Sequence, residues 1–203
     1  AAANSNAIAW LAVKRFDWVN NTQGHPIDAE SKSGRLHMLS ACALLDADYR
    51  TPSLDYEELI KASRTLCQSP AVGRLQFCRA VFNLLACNQD DHSKNWAFLQ
   101  SDNGLWEAAP FYDVTFSPHP FSEHATAFAG FGKNPPLSAM QKLAARAGYS
   151  SWHQAQIDIQ RVAETVANFT QVAHDFGVGK QTTALIQQQL NRVHRENKHL
   201  FKS

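Results

Sequence analysis

A change of hydrophobic period at Asn88 constrains the fold of this chain more than any other feature. Over residues 72–87, apolar side chains recur at helical spacing. Leu75, Cys78, Phe82 and Leu85 form one stripe, with Val81 and Leu84 beside it. A stripe this wide predicts a helix buried on most of its sides. Past Asn88 the period drops to two: Trp96 and Phe98 alternate with Ala97 and Leu99, Ser101-Asp-Asn-Gly104 supplies a turn, and Leu105-Trp106 resumes the pattern. That predicts a β-hairpin directly after the buried helix. Helical patterning is also read over residues 34–45 (Leu36, Leu39, Ala43), 55–67 (ended by Ser69-Pro70), 138–148, 152–176 and 180–201. Within 152–176, Val162, Val166, Phe169, Val172 and Phe176 are expected to hold one face, and Gly177 and Gly179 to break the chain after it. Turn residues make 20–26 and 110–136 loop-rich. The expected fold is mainly α with one short β-hairpin.

Composition narrows the class. The chain has 203 residues and 22.6 kDa, enough for one full domain or two small ones. Twelve Phe and five Trp argue against disorder. Nineteen basic against eighteen acidic residues leave a net charge of +1, without the global basic footprint of a nucleic-acid binder. No apolar run approaches the roughly 20 residues of a membrane span, and no signal-peptide pattern is present. Cys42, Cys67, Cys78 and Cys87 show no C-x-x-C spacing and read as buried free thiols of a cytoplasmic protein. At the N-terminus, Ile8-Ala-Trp-Leu-Ala-Val13 is an apolar segment without an obvious partner and with no initiating Met before it. Further structure is therefore expected upstream.

The chemistry concentrates in Asn88-Gln-Asp-Asp-His-Ser-Lys-Asn95, a polar segment between an apolar helix and an apolar hairpin. Asp90 and Asn95 stand at the D-x-x-x-x-N interval of phosphoryl-transfer catalytic loops, in which the Asp accepts a hydroxyl proton and the Asn oxygen binds Mg²⁺. A second carboxylate is expected after a short hairpin. Asp113, eighteen residues beyond Asn95, occupies that place. Asp91 is the rival for Asp90, and spacing favours Asp90. Lys94 and His92 suit contacts to phosphate oxygens.

The stretch from Phe82-Asn-Leu-Leu-Ala-Cys87 through Asp90-Asp-His-Ser-Lys-Asn95 to Ala109-Pro-Phe-Tyr-Asp-Val114 resembles the C-terminal domain of HipA-type serine/threonine kinases, toxins of bacterial toxin–antitoxin pairs. Lys14-Arg-Phe-Asp17 resembles the family's E-R-F-D hinge, Gly34-Arg-Leu-His-Met-Leu-Ser40 the stretch after it, and Leu54-Asp-Tyr-Glu-Glu-Leu59 its S-Y-E-D-L region. The resemblance implies a helical kinase-like C-lobe, with residues 1–20 as hinge and N-lobe remnant and 21–203 as the lobe itself. It implies Asp90 as base and Asn95 and Asp113 as Mg²⁺ ligands. Around ATP it implies His92, Ser93, Lys94, Asn95, Tyr112 and Asp113 near the phosphates, the backbone of Lys14, Arg15 and Phe16 at adenine, and Asp17 at the ribose. The implied partners are a protein substrate with a Ser/Thr acceptor, a helix-turn-helix antitoxin that alone meets DNA, and an N-lobe in cis or on a separate chain. The phosphate-covering loop, the strand lysine and the regulatory serine of that N-lobe have no counterpart here, so this chain alone is expected to be inactive or feeble. A small residue often stands where this chain has Asp91.

Two other readings compete. One is a kinase-derived binding module that docks an antitoxin without catalysis. The other is a metal-dependent phosphohydrolase using Asp90, Asp91, His92 and Asp113, which is short of ligands and ill served by Lys94. His119 and His124, in a Pro-rich loop, are expected to be exposed.

Overall fold

The buried helix and the hairpin that follows it form the middle of the molecule. The structure is a computed structural model in which residues 13–19, 34–48 and 54–201 are described. In chain order the elements are β1 (Trp18–Val19), β2 (Gly34–Arg35), β3 (His37–Ser40), α1 (Ala41–Leu44), β4 (Leu54–Asp55), α2 (Tyr56–Cys67) and α3 (Pro70–Leu85). A 3₁₀ turn (Ser93–Asn95) leads to β5 (Ala97–Gln100), β6 (Trp106–Ala108) and β7 (Thr126–Ala127). Helices α4 (Leu137–Ala147), α5 (Trp152–Ala167), α6 (Phe169–Asp175) and α7 (Lys180–Glu196) complete the fold with a last 3₁₀ turn, Lys198–Leu200. The mainly helical class and the hairpin agree with the sequence reading, as does the break at Gly177, left-handed at φ 70° just past α6. Residues 1–12 and 20–26 lie outside the described residues.

Local chemistry explains the helix starts. Asp55 caps α2, its carboxylate accepting from the Glu57 N–H at 2.7 Å, and Glu57 and Glu58 place negative charge in the first turn. Pro70 opens α3 at a position where no N–H is needed. Helix α3 packs against α2, α4, α5 and α7. Its buried face is not the one expected. Leu75 is exposed, and the buried residues include Phe77, Ala80, Val81, Leu84 and Leu85. They meet Tyr56, Leu59, Ile60, Met140, Leu143 and Ile159 in the main core. The buried face also carries Gln76 and Asn83, which donate to the Ser63 and Tyr56 hydroxyls, so an apolar stripe alone does not fix the orientation of α3.

Three further differences have physical causes. Residues 34–40 form strands, not a helix. β3 pairs antiparallel with β5 (Leu39 opposite Phe98), and β5 pairs with β6 (Phe98 opposite Ala108), giving a three-stranded sheet. Pairing with a strand some sixty positions away overrides the helical spacing of Leu36 and Leu39. The helix expected over 152–176 breaks at Asn168, whose N–H reaches back to the Glu164 and Thr165 carbonyls. The buried line of α5 is Ala155, Ile159 and Ala163, while Val172 of α6 and Phe176 just past its end are exposed. The long loop also holds β7, which pairs in parallel with β4. Asp55 fastens this loop by accepting from the Ala129 and Gly130 N–H groups at 3.1 and 2.6 Å.

Strand β5 is covered on both faces. Phe98 enters the main core, whereas Ala97 and Leu99 join Ala109, Phe16, Leu36 and Tyr112 in a smaller cluster. All four cysteines are free, with Cys87 buried.

Candidate functional site

Helix α3 ends at Leu85. Cys87 then adopts a left-handed conformation (φ 58°), and the polar segment begins. Asn88 bridges two neighbours: its amide donates to the Asn83 carboxamide oxygen at 2.8 Å, and its own oxygen accepts from the Ser117 hydroxyl at 3.1 Å.

Asp90 is held by its backbone and left open at its side chain. Its N–H donates to Ser117 Oγ at 3.2 Å, and its carbonyl accepts from Asn95 Nδ2 at 3.0 Å. The carboxylate is 65% exposed, with His92 Nε2 at 3.8 Å. The Asn95 amide is thus turned inward, which leaves the carboxamide oxygen as the atom Asn95 can offer a cation. The 3₁₀ turn over 93–95 buries Ser93 and leaves Lys94 exposed.

Asp91 is the opposite case. Its side chain is fully buried, and its carboxylate accepts from the Tyr56 hydroxyl, from His124 Nδ1 at 3.0 Å and from the Thr126 N–H at 3.2 Å. Burial, and then the Asp91 charge, push the Tyr56 phenol far above its ordinary value. His124 is therefore buried, contrary to expectation, because Asp91 binds it. His119 is exposed as expected.

The 14–17 segment and the Asp113 segment meet the 88–95 segment through two aromatic residues. The Tyr112 hydroxyl donates to the Lys94 carbonyl at 2.5 Å, and the Phe16 and Tyr112 ring centroids lie 5.3 Å apart. Burial, with the neighbouring Asp113 charge, pushes the Tyr112 phenol up to about 12. Asp113 is exposed and left-handed at φ 54°. Lys14 and Arg15 are exposed. Both Asp17 carboxylate oxygens are taken by the Arg15 guanidinium (2.8 and 2.6 Å), which holds the Asp17 carboxyl below its usual range. On another side of Asp90 lies a groove of about 510 Å³ lined by Leu54, Gln89, Ser117, His119, Glu123 and His124 among others.

Tyr56, Asn83, Ser117 and Thr126 have no site role in the sequence reading, and His124 figures there only as an exposed loop residue. Asn83, a carboxamide inside an apolar helix, was the one visible signal. The phosphohydrolase reading loses a ligand, since the Asp91 carboxylate is already surrounded by donors.

This helical fold is that of a HipA-like C-terminal domain: residues 2–195 match that family, and the chain belongs to it. Among curated proteins, the serine/threonine-protein kinase toxin HipA of Shewanella oneidensis (strain MR-1) is 28% identical over 51% of this chain and 26% of its own length. The solved Shewanella oneidensis MR-1 complex of HipA, HipB and operator DNA matches with a TM-score of 0.61 at 18% identity, over 93% of this chain and 46% of that one. At that identity the likeness concerns the fold. The chain spans about a quarter of the curated relative and about half of the solved one.

Proposed function

We propose that this chain is the catalytic lobe of a HipA-like serine/threonine protein kinase that transfers the γ-phosphoryl group of ATP to a protein hydroxyl. The observation that carries the reading is the contrast between neighbours: the Asp90 carboxylate is exposed on a backbone fixed at both its N–H and its carbonyl, whereas Asp91 is buried. Asp90 accepts the proton of the acceptor Ser or Thr as its oxygen bonds to the γ-phosphorus. The bond to the β,γ-bridging oxygen breaks, and ADP leaves with the electron pair.

The Asn95 carboxamide oxygen and the Asp113 carboxylate are hard oxygen donors that suit Mg²⁺, which supplies charge neutralisation at the phosphates when bound. His92, Ser93 and Lys94 line the phosphates, with Lys94 as a point charge and Ser93, buried here, contributing through its backbone. Tyr112 supports the Lys94 peptide. Residues 14–16 meet adenine by backbone hydrogen bonds, and Asp17, steadied by Arg15, faces the ribose. The groove beside Asp90 receives the acceptor segment. The whole protein contains an N-lobe that completes the ATP pocket, and its partner is a helix-turn-helix antitoxin through which DNA is reached indirectly. A cytoplasmic location accords with the absence, among the described residues, of any helix long and apolar enough to cross a membrane.

The test is phosphoryl transfer by the full-length protein. Asp90→Asn is expected to lower kcat by about 10²–10⁴-fold with nucleotide affinity little changed. A dead Asp91→Asn beside an active Asp90→Asn would shift the register by one.

A further inference from the structure

We propose that Asp91, gripped by Tyr56 and His124, is the positioning residue of the catalytic loop, fixing the peptide from which the Asp90 carboxylate projects. As a statement about rate, this rests on the kinase reading above.

The side chain of Asp91 is 0% exposed, yet its donors come from distant parts of the chain. Tyr56 is the first residue of α2, His124 lies in the long loop, and Thr126 opens β7. The Asp91 carbonyl is held as well, by Thr126 Oγ1 at 2.5 Å and Trp96 Nε1 at 3.3 Å. A second arm returns to the same point. The Asp90 N–H donates to Ser117 Oγ, Ser117 to Asn88, Asn88 to Asn83, and the Asn83 amide to the Tyr56 hydroxyl at 2.9 Å. Tyr56 then donates to Asp91. The circuit thus closes around the Asp90–Asp91 peptide, with the one exposed carboxylate outside it.

A buried carboxylate is a poor choice for stability alone, because a well-packed apolar residue serves as well or better. Its value here is orientational: it fixes a backbone from several directions at once. Against an acceptor-only carboxylate, His124 presents its Nδ1–H. Removing that donor should loosen the loop while leaving Asp90, Asn95 and Asp113 in the sequence.

In the full-length protein, His124→Ala is compared with His124→Asn, whose amide nitrogen replaces Nδ1. Misplacing a catalytic group by about 1 Å costs on the order of 10²-fold. His124→Ala should therefore lower kcat by about 10- to 100-fold with the KM for ATP held within about twofold, and His124→Asn should recover most of that loss. Hydrogen exchange over residues 88–96 should quicken in His124→Ala and stay near wild type in His124→Asn. Equal kcat losses in the two variants, in proportion to their melting temperatures, would mean a structural role only and overturn the proposal. So would a change confined to the KM for the acceptor, since His124 also lines the groove beside Asp90. If His124→Ala does not fold, Tyr56→Phe replaces it, with the same exchange signature and a smaller rate loss. If the wild-type protein transfers no phosphoryl group, the kinase reading fails. Exchange alone then decides the positioning: faster in His124→Ala than in His124→Asn upholds it, and equal rates reject it.

Discussion

The adjacent carboxylates of Asp90 and Asp91 should respond to the same substitution in opposite ways. Asp90 is exposed, so Asp90→Asn should change stability by no more than about 0.5 kcal/mol in denaturant unfolding. Asp91→Asn turns one acceptor oxygen into a donor facing other donors, and should cost about 1–3 kcal/mol. Similar losses from both would contradict the burial described here. The D-x-x-x-x-N spacing, the hairpin before Asp113 and the family resemblance together make Asp90, Asn95 and Asp113 candidates. The residues that grip the loop were illegible, because a buried hydrogen-bond network joins positions as far apart as Tyr56 and His124 and leaves no periodic trace. Asp113 holds a left-handed backbone. Asn tolerates the left-handed region better than Ala, so Asp113→Asn removes the charge with little backbone penalty, whereas Asp113→Ala adds strain to it.

At the scale of elements, α3 and α4 meet at a position with no room for a side chain. A Cβ on Gly73 would stand 2.7 Å from the Ala147 carbonyl oxygen and 2.5 Å from Arg64 Cδ. Gly73→Ala should therefore destabilise the protein by about 1–3 kcal/mol despite its better helix propensity, as thermal unfolding would show. A neutral or stabilising result would mean that the two helices can part cheaply. Elements specified by local pattern were legible: α2, α4 and the β5–β6 hairpin. Those decided by partners were not. β3 owes its strand form to β5, β7 owes its form to β4, and the rotation of α3 is set by four helices at once.

Over the whole molecule, buried tyrosines and cysteines lower stability at alkaline pH. Burial raises the phenols of Tyr56, Tyr112 and Tyr149 above their ordinary value, that of Tyr112 to about 12. The folded state then holds phenolic protons that the unfolded chain releases near pH 10, so the tyrosine contribution is full below that pH and falls as pH rises towards about 12. Burial of the Cys67, Cys78 and Cys87 thiols starts a loss of the same sign near pH 9. Denaturant midpoints across that interval, with tyrosinate absorbance followed in parallel, check the sign; a flat profile would refute it. The 203-residue chain on its own is expected to bind Mg·ATP weakly, because the proposed N-lobe clamp lies elsewhere in the protein; calorimetry measures this. Finally, Asp55 gives the fold an indivisible unit. One carboxylate serves both the first turn of α2 and the backbone at residues 129–130. The loop cannot swing open without fraying the helix, so a protease that cuts near Gly130 would report cooperative unfolding of both, not local loop motion.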